Sequence, residues 1–81
     1  MRVDYSYKAK KWLEDAPIYL QDRIMEKMEF FACQPDPLIF SKFIKKLGLY
    51  RFRVGYYRLL FTVKEGMIFI AKIERRDKAY D

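Results

Sequence analysis

The stretch Leu49–Phe61, LYRFRVGYYRLLF, decides the fold. Its residues alternate cleanly on both sides of Gly55-Tyr56, so it reads as two strands and a tight turn. Tyr50, Phe52 and Val54 take one face of the first strand; Leu49, Arg51 and Arg53 take the other. Tyr57, Leu59 and Phe61 alternate with Arg58, Leu60 and Thr62 in the second. Glycine at the first central position suits a type II′ hairpin, whose φ there is positive. That register sets Val54 against Tyr57, Arg53 against Arg58, and Arg51 against Leu60. Like charges directly opposite destabilise a sheet by roughly 0.2–1 kcal/mol. Three guanidiniums gathered at that cost suggest a site for a polyanion.

The charge distribution agrees. The chain of 81 residues carries a net charge of +6. No acid occurs between Asp36 and Glu65, a window holding Lys42, Lys45, Lys46, Arg51, Arg53, Arg58 and Lys64. The other ten cations meet eleven acids, so the rest of the molecule stands at −1. The positive field belongs to one segment and points to a phosphate-rich partner. The bland alternative is a solvated surface with excess lysine.

Apolar and aromatic contents of 52% and 19% are those of a folded chain with a modest core, read as one domain over 1–81. No apolar run resembles a signal peptide or approaches a membrane helix, which points to a cytoplasmic, soluble protein without membrane contact. The chain has no histidine, which excludes common zinc sites and histidine-based triads. No metal and no cofactor is expected. Cys33, in FFACQP, reads as a small buried filler at a helix end.

Working outward, Val3 and Tyr5 alternate with Arg2 and Asp4 in a short strand, and Ser6 is placed to cap a helix over Tyr7–Asp15. Pro17 opens a second helix, with Leu20, Ile24, Met28 and Phe31 on one stripe. Pro35-Asp36-Pro37 ends it. Leu38–Leu47 is a connecting segment that allows a helical turn. Lys64-Glu65-Gly66 turns the chain into a last strand, Met67–Ile73, apolar at both parities and therefore central. The first strand then pairs with its other edge. Whether the loop before Met67 has two or three residues is open, and this decides which face of the last strand meets the arginines. The expected fold is α+β, in the order β-α-α-β-β-β. A helical hairpin packs on one face of a mostly antiparallel four-stranded sheet, and the arginine face stays at least partly open.

The run GLYRFRVGYYRLLF, the apolar strand after it and the RRD-containing tail resemble the RelE/ParE superfamily of toxins from type II toxin–antitoxin systems. The element order agrees, including YSYKAKKWL at the start. The resemblance implies a cognate antitoxin as partner, without sequence-specific DNA binding by the toxin alone. RelE-like members cut mRNA in the ribosomal A site: the ribose 2′-OH attacks the adjacent phosphate, leaving a 2′,3′-cyclic phosphate and a 5′-OH. ParE-like members poison DNA gyrase and are not nucleases. A gyrase inhibitor of that kind, or a catalytically decayed relative, is the alternative reading.

Carried over by position, Arg51 and Arg53 match the basic pair before the turn and Arg58 the arginine after it. Arg75 matches the tail arginine and Tyr80 the tail tyrosine that supports an RNA base. Arg58 is the expected donor to the charged phosphate oxygens, and Arg75 the partner of the departing 5′ oxygen. Tyr80 is suited to stack a base. Lys42, Lys45, Lys46 and Arg76 are assigned to RNA backbone, or else are plain surface charges. Two positions depart from the pattern. RelE relatives often carry lysine at position 53 as a base, whereas a guanidinium holds its proton and can only orient the 2′-OH. Glu74 stands where many relatives have histidine; it is either a general base or an ion-pair partner for a nearby arginine.

Overall fold

A computed structural model describes residues 1–75. In chain order these form β1 (Arg2–Tyr5), α1 (Tyr7–Asp15), α2 (Ile18–Ala32), a single 3-10 turn (Pro37–Phe40), β2 (Lys42–Ile44), β3 (Leu49–Val54), β4 (Tyr57–Lys64) and β5 (Met67–Arg75). The sheet order is β1-β5-β4-β3-β2. β1 runs parallel to β5, and every other neighbouring pair is antiparallel.

The sheet thus has five strands where four were expected. The additional strand lies inside the supposed connecting segment. Lys42–Ile44 is too short to show alternation, and it forms because Leu49–Arg51 offers it an edge. The four residues from Lys45 to Gly48 close this hairpin, with the Leu47 and Gly48 amides both donating to the Ile44 carbonyl. Element order and the α+β class are otherwise as read, as is the pairing of the first strand with the free edge of the last.

The β3–β4 register sets Val54 against Tyr57 and Arg53 against Arg58. Gly55 has φ +59, whereas Tyr56 stays negative, as a type II′ turn requires. The next loop has two residues, Glu65 and Gly66, both at positive φ. This is the type I′ solution to the loop length that the sequence left open. A bulge follows. Phe61 faces Ile70 and Leu60 faces Lys72, so Ala71 has no counterpart on β4. The extra residue lets Ile68, Ile70 and Ile73 all point to the helices, although their spacing breaks strict alternation.

α1 and α2 cover that face. Ala9 and Leu13 of α1 join Leu20, Ile24, Met28 and Phe31 of α2 over Val54, Leu59, Phe61, Ile68, Ile70 and Ile73. Phe31 is the hub of this core; its ring contacts Phe40, Phe52 and Phe61. The Ser6 hydroxyl accepts from the Ala9 amide at 3.0 Å, the expected cap, and donates to the Ala71 carbonyl at 2.7 Å. Pro17 caps α2 from just outside, one residue from its expected place inside the helix. Cys33 is exposed, contrary to the sequence reading. Helix α2 ends at Ala32, and the chain turns away just past the buried pair Phe31-Ala32.

Candidate functional site

The strand alternation that sends Phe52, Val54, Leu59 and Phe61 into the core turns Arg51, Arg53 and Arg58 to the opposite face. Among the described residues, no helix lies on that side. Arg53 and Arg58 are register partners, and Arg51 stands across from Leu60. Beyond β3, Lys42 faces Arg51. Together with Lys45 and Lys46 from the β2–β3 turn, Arg51 and Arg58 line a groove of about 430 Å³. Ile44 and Leu47 contribute apolar lining. Arg53 also borders a second hollow, about 260 Å³, beside Arg23, Lys27 and Phe30 of α2.

The arginines differ in depth. Arg53 is exposed and Arg51 half-buried, but Arg58 is only 5% exposed. The face is therefore less open than the sequence suggested. Arg58 occupies a central strand, with Arg53 across one ladder and Glu74 across the other. Its Nε and Nη2 both donate to Oε2 of Glu74, at 3.1 and 2.8 Å. The second carboxylate oxygen, Oε1, takes Lys72 Nζ at 3.3 Å. Burial by itself would raise the Glu74 carboxyl. The hydrogen bonds and positive charges of Arg58 and Lys72 outweigh it and hold the group below the usual carboxylate range.

The ion-pair reading of Glu74 thus describes its contacts, and the arginine is Arg58. A carboxylate so held is a poor proton acceptor. The like-charge cost expected from three gathered arginines is also offset, since Glu74 neutralises the deepest one. Lys72 is the residue that the sequence reading passed over. It alternates with Glu74 in IAKIER, but its face depends on the bulge at Ala71, which the sequence does not mark.

Arg75 does not join the row. The register that sets Glu74 against Arg58 sets Arg75 against Tyr57, at the hairpin end of the sheet. Its guanidinium lies over the Tyr56 ring, 5.8 Å from the centroid, in a cation–π contact. Arg76 and Tyr80 lie outside the described residues. Among the described residues, no three histidine, cysteine or acidic side chains gather to hold a metal, and no helix is long and apolar enough to cross a membrane.

The fold recurs in solved structures. The archaeal RelE–RelB complex of Pyrococcus horikoshii matches with a TM-score of 0.76 at 28% identity, over 96% of this chain and 97% of that one. The RelBE2 toxin–antitoxin complex of Mycobacterium tuberculosis matches at 0.77 and 23% identity, over 93% and 90%. The isolated RelE toxin of Escherichia coli matches at 0.76 with 14% identity, over 98% and 87%. No protein-family model and no curated protein matches the sequence. Two helices on a mixed sheet are the architecture that this chain shares with the RelE structures. The chain is similar to the RelE chains of these complexes over nearly its whole length.

Proposed function

We propose that this chain is the toxin of a toxin–antitoxin pair and a ribosome-dependent mRNA endoribonuclease, held inactive by a cognate antitoxin. Likeness to RelE chains solved with RelB supports the toxin role and the protein partner. The observation that carries the nuclease reading is the row of Arg51, Arg53 and Arg58 beside a lysine-rimmed groove. RNA backbone is the ligand that such a surface suits.

In this reading the 2′-oxygen bonds to the adjacent phosphorus, the P–O5′ bond breaks, and the 2′-OH proton is lost as the 5′ oxygen gains one. Negative charge grows on the nonbridging oxygens, where Arg51 and Arg58 donate. Arg53 orients the 2′-OH rather than deprotonating it. Tyr80 stacks a base, and Arg75 would have to leave its contact over Tyr56 to serve the departing 5′ oxygen. Lys42, Lys45, Lys46 and Arg76 hold flanking backbone. The cytoplasm, where ribosomes and message meet, is the site of action.

In vitro translation with toeprinting tests this. Wild-type protein is expected to cut ribosome-bound message at codon-phased positions, leaving 2′,3′-cyclic phosphate ends. Arg58→Ala should lower cleavage at least 100-fold while circular dichroism still reports a folded chain. Some loss of stability is expected as well, about 1–3 kcal/mol, because Glu74 loses its main partner. Arg58→Ala cutting as fast as wild type would remove Arg58 from the chemistry. Intact message together with trapped gyrase–DNA cleavage complexes would identify a ParE-like inhibitor instead.

A further inference from the structure

Glu74 is the one carboxylate on strands β2–β5 among the described residues, and it sits at the most buried cation of the row. It engages the Nε/Nη2 edge of Arg58, the edge with which a guanidinium also grips phosphate in a forked contact. Arg58 reaches the groove beside Arg51, so a phosphate arriving there competes with Glu74 for that edge. We propose that Glu74 is an internal counter-anion, a latch that Arg58 must leave to take an RNA phosphate, and that it thereby sets the resting affinity of the site for RNA. This rests on the RNA-binding part of the reading above, and cleavage is not required for it.

The chemistry favours exchange over permanent bracing. Glu74 keeps a second partner, Lys72 on its own strand, with which it stays neutralised when Arg58 swings to phosphate. Oε2 gives up its two bonds from Arg58 while Oε1 keeps Lys72, and the exchange swaps one charge-assisted pair for another. Such a latch lowers affinity for stray polyanions without removing the guanidinium needed in the cleavage step.

Binding of a 5′-fluorescein decauridylate, followed by anisotropy from 50 to 300 mM salt at neutral pH, tests the latch. Each phosphate contact on a single strand adds about 0.7 to the log–log salt slope. Arg58 makes the same contact in the wild type once it has left Glu74, so Glu74→Gln is expected to keep the wild-type slope and to bind about tenfold tighter, because no charge-assisted pair has to be broken. Glu65→Gln removes the same charge at the β4–β5 turn and should change neither slope nor affinity. Equal or weaker binding by Glu74→Gln overturns the latch, as does an equal gain in Glu65→Gln, which would reduce the effect to net charge.

If Glu74→Gln fails to fold, the wild-type protein still decides. The Arg58 Nε–Hε resonance should move when the decauridylate saturates the protein. A resonance that stays put overturns the exchange. Toeprinting separates the two readings: tighter binding without message cleavage keeps the latch and rejects the nuclease, whereas cleavage with unaltered Glu74→Gln binding does the reverse.

Discussion

Single side chains in this protein do work that their residue type alone does not announce. Tyr5 is an example. Its ring packs under α2, and burial first, then the nearby negative charge of Glu29, pushes its hydroxyl up to about 12. The folded chain thus keeps a proton that the unfolded chain releases near pH 10. Stability attached to Tyr5 is full below pH 10 and is lost as pH rises toward 12. Urea titrations between pH 9 and 11.5 should show the wild type weakening, and Tyr5→Phe should flatten part of that slope. The effect is on the order of 1 kcal/mol, since the ring is only half-buried and water screens the rest. An unchanged slope would mean that Tyr5 titrates alike in both states.

At the scale of elements, Ser6 ties a helix to a sheet defect. Its oxygen accepts from the first turn of α1, and its proton goes to Ala71, the bulged residue of β5. Ser6→Ala loses both bonds and should cost about 1–2 kcal/mol in thermal melts, with Ser6→Thr recovering most of it. The cap was legible in the sequence because Ser before an amphipathic run is a local signal. Its second bond was not, because it depends on a bulge built from non-local pairing. The same division runs through the molecule. The register of Arg53 and Arg58 was readable from Gly55 and strict alternation. β2 was hidden because three residues carry no period, and Cys33 was misplaced because helix ends are poorly marked. The Arg58–Glu74 contact needed the loop length and the bulge together, and neither is written in local residue types.

For the whole molecule, one ring joins the layers. Phe31 is fully buried and touches the 3-10 turn, β3 and β4 through Phe40, Phe52 and Phe61. Phe31→Ala should cost about 3–5 kcal/mol. A domain of this length holds only about 4–12 kcal/mol in total. Chemical denaturation should therefore show the midpoint falling by about a quarter or more, and a loss under about 1 kcal/mol would remove Phe31 from the centre of the core. The two faces of the sheet divide the labour: one is closed by α1 and α2, while the other carries the arginine row. At 28% identity to an archaeal RelE complex chain the architecture persists, as expected when alternation and turn chemistry, more than particular side chains, specify it.

The unmatched residue at Ala71 also sets a rule for inheritance. An in-frame loss of that single codon would leave Phe61 opposite Ile70 and Leu60 opposite Lys72 with nothing between them, a regular ladder in which Ile68, Ile70 and Ile73 keep their facing. What would go is the carbonyl that takes the Ser6 hydroxyl. Lineages carrying this protein should therefore accept a β5 one residue shorter at this point, whereas a second inserted residue would add another unpaired position.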